Sequence, residues 1–313
     1  ITLCSHIKKS TPITYYQLNH HFTMSSNDSS ISLINKIQLL SRYTSISFGF
    51  VFFSIGILGS CLNALTFLSV GHYKTNPTSF YMLIKVLFDS TAILIGLPTR
   101  ILPYGFQIDW TIMSQIVCKL RRYWMTTNNV ITFSLLALQS IDIFLCSSPS
   151  VSRRQMSSIA NSHRIVITII SFSILHSLPF LFYQNIVLLS TGNLFCLTTH
   201  EFYNQYQLYF INICLYTVIP VVIIFIFGLL TYRNIHFNNR QHQHRLHCSF
   251  TRQMIRMHIY NIIIVIIFVT PYGVIHLYSL LLKNTTKTNI QDAFEQLALR
   301  FTTICFYGHY AVS

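Results

Sequence analysis

The sequence predicts an all-α bundle of seven membrane-crossing helices, and three observations carry that prediction. Of 313 residues, 52% are hydrophobic and only 9% are Asp, Glu, Lys or Arg, whereas roughly a quarter of an ordinary soluble domain is charged. The apolar residues gather in uncharged stretches, Tyr43 to Tyr73, Tyr123 to Ile141, Ile165 to His200, Phe202 to Tyr232 and Met257 to Leu282. Each can carry the ~20 apolar residues that span hydrocarbon as a helix. The segments between them are unequally charged, as a protein threaded back and forth through a bilayer requires.

Taken in order, residues 1–45 are expected to be an N-terminal segment without regular structure, followed by a membrane domain over 46–313. The chain opens on Ile1, and residues 1–23 lack a basic stretch followed by an apolar core; Met24 is an alternative start. The first crossing is expected over 46–70. The second, 79–103, is a weaker stretch interrupted by Lys85, Asp89 and Arg100. The third, 115–146, is uncharged beyond Arg122 until Asp142. The fourth, 165–188, reads IVITIISFSILHSLPFLFYQNIVL, which does not alternate in polarity as the ten-residue strands of a membrane barrel do. The fifth and sixth are expected over 207–232 and 257–282. The seventh, 293–313, contains Glu295 and Arg300, and the sequence stops within it, so we read the chain as a piece of a longer protein.

Loop charge sets the orientation. With the N-terminus outside, the loops 71–78, 147–164 and 233–256 face the cytoplasm and hold Lys74, Arg153, Arg154, Arg164, Arg233, Arg240, Arg245, Arg252 and Arg256 with no acid. The opposite loops hold Lys283 and Lys287. This is the positive-inside pattern of a multi-pass plasma-membrane protein. The sequons at Asn27 and Asn284 both fall on the outer side. The formal charge of +14 is accounted for by topology, and no nucleic-acid partner is needed.

The eight cysteines are too scattered for a disulfide-framework miniprotein or a zinc module. Cys118, at the outer start of the third crossing, and Cys196, in the loop before the fifth, share the oxidising side, where a bridge is allowed. Cys61, Cys214 and Cys305 fall inside crossings and are expected to pack. Cys146 and Cys248, near the inner surface, are either ordinary thiols or acylation sites.

These features in this order, with Gly59-Ser-Cys-Leu-Asn63 in the first crossing, Asp89 in the second, and Pro179, Pro220 and Pro271 in the fourth, fifth and sixth, resemble rhodopsin-like G protein-coupled receptors. The resemblance covers about 42–313. It implies an extracellular ligand, a heterotrimeric G protein at the cytoplasmic face, the lipid bilayer as surroundings, and no cofactor or metal.

The third crossing of that family usually ends in Asp-Arg-Tyr. Here Ser140-Ile-Asp-Ile-Phe144 occupies the place, so Asp142 is kept, Ile143 replaces the Arg that contacts the G protein, and Phe144 keeps an aromatic. Asp142 is then expected to pair with Arg153 or Arg154 or to face water. Coupling is either altered or carried by the rest of the inner surface. Val269, before Pro271, replaces the usual aromatic; the fourth crossing has no Trp, and Gly228 stands where a Tyr is common.

Ionisable residues inside a membrane carry a functional hypothesis by default. Asp89 resembles the family's sodium-site acid, with Asn63 and Thr132 as neighbours (Ser134 alongside). Lys85, one turn earlier, either pairs with Asp89 and makes sodium unnecessary or snorkels to the inner surface. Toward the outer mouth, Arg100, Arg121, Arg122 and Arg300 with Tyr123, Trp124, Tyr272 and His276 suit a ligand with an anionic or carbonyl-rich end. The alternative is that the cations reach headgroups or pair with Asp109, Glu201, Asp292 and Glu295. Met125 stands where amine receptors carry an Asp, which disfavours an amine and leaves peptide ligands, neuropeptides among them, as the closer likeness. Pro179, Pro220 and Pro271 each remove a helix hydrogen bond and kink or shape the bundle.

The 236–248 loop, HFNNRQHQHRLHC, has metal-binding composition but no compact zinc spacing, and a solvated basic connector explains it. No H-E-x-x-H, G-x-S-x-G or P-loop is present, so no enzyme is expected. A seven-crossing channel or transporter is the competing class. The former would put the N-terminus inside, and the latter would show internal repeats.

Overall fold

The computed structural model describes residues 28–188, 194–241, 249–282 and 287–312. The sequons at Asn27 and Asn284 and most of the histidine-rich loop, 242–248, lie outside the described residues. Among the described residues there are seven long helices: α1 (Asp28–Val70), α2 (Pro77–Phe106), α3 (Gln115–Ser147), α4 (Ile159–Tyr183), α5 (Glu201–Asn234), α6 (Ser249–Leu281) and α7 (Asn289–Val312). The first six contain windows long and apolar enough to cross a membrane. Helix α7 completes the bundle by packing between α1 and α6.

The apolar side chains point the wrong way for water. Leu58, Leu62, Leu65, Ile167 and Phe182 stand on the outside of the bundle, each more than half exposed, while Thr126, Asn128, Thr132, Gln139 and Ser140 are inside. Lipid solvates the first group. The second finds hydrogen-bond partners only among neighbouring helices, where close packing rather than apolar transfer drives association.

Helix α1 begins earlier than expected. Residues 28–45, anticipated as irregular, are helical, and at 1.5 Å per residue the whole element is ~65 Å long, about twice the hydrocarbon thickness. Its first turns therefore run beyond the lipid core. Gly71 ends α1 in the left-handed region (φ 70), which lets the chain reverse into α2. Asn76 caps α2, accepting hydrogen bonds from the backbone of Thr78 and Ser79.

Prolines mark the irregular helical segments. In α2 the stretch Ala92–Gly96 is π-helical just before Pro98, and Leu97 N–H reaches back to the Ala92 carbonyl. Pro98 and Pro103 are breaks that the sequence reading did not single out. In α5 the π-helical run Tyr206–Val218 gives way to α-helix at Ile219, with Pro220 next. The Thr217 hydroxyl donates 3.1 Å to the Asn212 carbonyl there. In α4 the first segment ends at Ser177 and Pro179 starts a new turn. Pro271 sits inside a continuous α6. A ring without an N–H and with a crowded preceding turn accounts for widened turns next to prolines.

The fourth crossing starts and ends earlier than expected. Residues 184–188 are not helical but form β1 (Gln184–Leu188), antiparallel to β2 (Leu194–Thr198), with Ile186 opposite Cys196. Uncharged composition extended the expected helix, but Ile186 and Val187 are β-branched and pair well across a hairpin. Cys196 is disulfide-bonded to Cys118 with Cα atoms 5.8 Å apart. Gln115, in the first turn of α3, fastens the other strand, β1. Its side chain donates to Asn185 Oδ1 at 2.5 Å and accepts from Ile186 N–H at 3.0 Å. The hairpin is thus held down at the end of the bundle where α3 begins, called here the hairpin end.

Candidate functional site

Three polar regions lie along the bundle. Nearest the hairpin end, α2, α3, α6 and α7 bring Arg100, Arg122, Tyr272, His276 and Arg300 toward one another. Arg100 donates to the Tyr104 hydroxyl at 3.2 Å, and the Arg300 guanidinium lies 5.5 Å from the centre of the Tyr104 ring. One tyrosine therefore serves arginines from two helices. Arg122 lies 5.2 Å from the Phe180 ring, and the charges of Arg100 and Arg122 both act on His276. The His276 and Tyr272 rings are 4.2 Å apart, and Tyr272 continues to Phe306 at 4.6 Å. Arginine is attracted to the negative face of an aromatic ring, which helps to hold these cations inside the bundle.

The remaining residues expected at this mouth are placed differently. Tyr123 is half-buried, about 100° around α3 from Arg122. Arg121 donates to the Thr99 carbonyl at 3.5 Å. Met125 is buried and packs on Gly96, where any Cβ would meet its methyl at 2.5 Å; it is floor rather than wall. Of the acids offered as partners for the arginines, Asp109 caps the Trp110–Ile112 turn, accepting from Thr111, and Glu295 is ion-paired with Lys287.

The second region is half-way down. Lys85 Nζ is 2.5 Å from Asp89 Oδ2, and both side chains are almost completely buried, 4% and 2% exposed. Their i, i+4 spacing places them on one helix face, and the snorkelling alternative is not what forms. Tyr310 and His309 of α7 lie within the electrostatic reach of Asp89 and Lys85 respectively, and the Tyr310 hydroxyl donates to Asn129 at 2.6 Å. Thr91 donates to Asn128 at 2.9 Å beside them. Thr132 is fully buried on α3, and Asn63 lines a cavity of about 190 Å³ with Lys85 and Gln139. A sodium ion does not fit this arrangement, because an ammonium already stands against the carboxylate it would need. His309, Tyr310, Asn129 and Gln139 were missed in the sequence; the aromatic run Phe306-Tyr-Gly-His-Tyr310 was the available signal.

The third region is at the opposite end, around Asp142. The carboxylate is 5% exposed and accepts from Thr78 Oγ1 on one oxygen and from Ser157 Oγ, at 2.5 Å, on the other. The expectation of a pair with Arg153 or Arg154, or of exposure to water, is corrected. Arg154 instead donates to the Ser148 carbonyl at 3.3 Å. Two neutral hydroxyls suffice because hydrogen bonds to a charged acceptor are about twice as strong as neutral ones. Ile143 is buried, and Phe144 packs edge-on to Phe227 of α5 at 5.5 Å. Ser157 follows a short helix, Val151–Met156, and its Oγ is also 3.3 Å from Cys146 Sγ.

Among the described residues no group of three or more metal-ligating side chains occurs. The family described as 7 transmembrane receptor (rhodopsin family) matches residues 59–310. No curated protein matches the chain.

Proposed function

The chain belongs to the rhodopsin family of seven-transmembrane receptors, and we propose that it receives an extracellular ligand of peptide type at the hairpin end and relays its presence to a heterotrimeric G protein at the other. In this reading it lies in the plasma membrane with its N-terminus outside, and it makes and breaks no covalent bond of its ligand. The observation that carries the ligand site is the gathering of Arg100, Arg122 and Arg300 from three helices around Tyr104 and His276 beneath a disulfide-held hairpin. Planar forks so grouped suit a carboxylate or a row of peptide carbonyls. Loop charge supports the orientation. Ligand binding would bias a rearrangement of the helices that carry Pro220 and Pro271.

The test uses a panel of short peptides, each with a free C-terminal carboxylate and as its amide, applied to cells expressing the chain with a G-protein dissociation sensor. A carboxylate peptide that activates the receptor, and loses potency in the Arg122→Ala and Arg300→Ala variants, is the expected result. Equal potency in those variants removes the arginine site.

A second reading concerns coupling. Ile143 fills the place of the family's arginine and is buried, while Asp142 is occupied by hydroxyls. Basal signalling through this face is therefore expected to be weak. Ile143→Arg should raise basal or stimulated G-protein activation, and an unchanged response counts against the idea.

A further inference from the structure

We propose that the connection between α2 and α3 is a membrane anchor, with Trp110 and Met113 seated in the boundary between phospholipid headgroups and acyl chains at the hairpin end. The inference requires that the chain crosses a bilayer, but it holds whichever side that end faces.

The composition of this segment is unlike that of a loop in water. Between Arg100 and Lys119 the chain carries one charged residue, Asp109, and that carboxylate is spent inside the loop, accepting from the backbone and hydroxyl of Thr111. Apolar side chains are turned outward instead. Phe106, Ile108, Trp110, Met113, Ile116 and Leu120 are 42–78% exposed, whereas Thr111 and Cys118 among them are buried. An apolar patch of this kind marks a contact with something equally apolar.

Its neighbours say what covers it. Phe106 ends α2 and meets Phe50 of α1 edge-on at 6.5 Å, and Phe50 is half exposed on the outside of the bundle, where lipid solvates the helices. Ile116 and Leu120, one turn apart, carry the same surface onto the start of α3. The patch is thus continuous with the lipid-facing surface. Depth agrees with this. Helices α2 and α3 have 30 and 33 residues, ~45 and ~50 Å at 1.5 Å per residue, against ~40–45 Å for a bilayer with its headgroups. Their connection therefore emerges at the headgroup level. Trp suits that layer, because its ring is apolar and its N–H polar. Backbone entering the layer needs internal hydrogen bonds. The segment has them: Ile108 N–H donates to the Leu102 carbonyl, Met113 N–H to that of Trp110 and Cys118 N–H to that of Ser114, at 3.0–3.2 Å.

The anchor bears on the ligand site. Gln115 and Cys118, which hold the two strands of the hairpin, follow directly after it, so lipid fixes the height of the hairpin over the arginines.

The chain has two tryptophans, and Trp124→Phe leaves Trp110 as the sole reporter. The full chain is placed in phosphatidylcholine nanodiscs brominated on the upper acyl chain, brominated near the chain end, or unbrominated and titrated with iodide. Upper-chain bromine is expected to quench the emission several-fold more than chain-end bromine or iodide. Where Trp124→Phe does not fold, the native chain minus Trp110→Phe reports the same residue. Quenching by iodide alone puts the loop in water and overturns the proposal. Protection from both quenchers does so too, since a second copy or another segment of protein then covers the patch. A chain that enters no nanodisc fails the membrane-spanning reading itself. Trp110→Ser with Met113→Ser should speed hydrogen exchange across β1 and β2, and unchanged exchange overturns the control of the hairpin by lipid.

Discussion

Half-way down the bundle Lys85 and Asp89 answer each other at 2.5 Å; at the hairpin end Arg100, Arg122 and Arg300 gather around aromatic rings. The two regions hold charge in membrane-embedded helices by different means. In the middle the chain supplies both signs, one turn apart, so the unit is closed and complete. At the hairpin end it supplies cations and π faces, while Glu295 and Asp109 are engaged elsewhere. The first arrangement pairs its charges within one helix, and the second, which we propose as the ligand site, spreads its cations over rings from several helices.

The sharpest way to break this comparison is to remove one sign from the closed unit. Asp89→Ala leaves a buried ammonium without its carboxylate and is expected to destabilise by ~3–5 kcal/mol, whereas Lys85→Leu with Asp89→Leu is expected to recover most of that loss. Melting temperatures of the purified variants in detergent decide it, and equal losses for single and double variants would show that the pair is not a unit. Next in size is the hairpin. Cys196→Ser removes a link between chain positions 78 residues apart and is expected to cost ~2–4 kcal/mol. Faster hydrogen exchange across β1 and β2, but not around Asp89, is the distinguishing sign.

The open region should respond through binding rather than stability. Arg122→Ala is expected to weaken an activating carboxylate peptide about tenfold or more, the loss of a charged hydrogen bond, while barely moving the melting temperature. A melting temperature that falls as far as that of Asp89→Ala would make the arginine structural and erase the contrast. The smallest expected effect is none. Sodium chloride and N-methylglucamine chloride at equal ionic strength should give the same melting temperature, because Lys85 already serves as the cation. A rise specific to sodium would mean that the pair yields to the ion.

How much of this was legible follows from how local each feature is. The crossings could be read because a helix in lipid needs a long apolar run. The Lys85–Asp89 pair could be anticipated because it spans four residues of one helix. The helical start at Asp28 could not, since a polar extension of a membrane helix adds no apolar signal. The strand Gln184–Leu188 was absorbed into α4 because hydropathy does not separate β-branched strand from helix. Asp142 was assigned the wrong partners for a similar reason: Thr78 lies 64 residues away, and nothing in a serine's local sequence marks Ser157 as a donor to a buried acid. At the hairpin end the arginines were visible as residue types, but the sharing of Tyr104 between α2 and α7 is a product of packing.

The ligand and coupling assignments depend on which end of the bundle faces the outside of the cell. The direct measurement is an epitope inserted beside Lys287, in the connection between α6 and α7, stained with antibody on living cells before and after permeabilisation. Full staining of intact cells is the predicted result. Staining only after permeabilisation would place the arginine cluster in the cytosol and contradict the account.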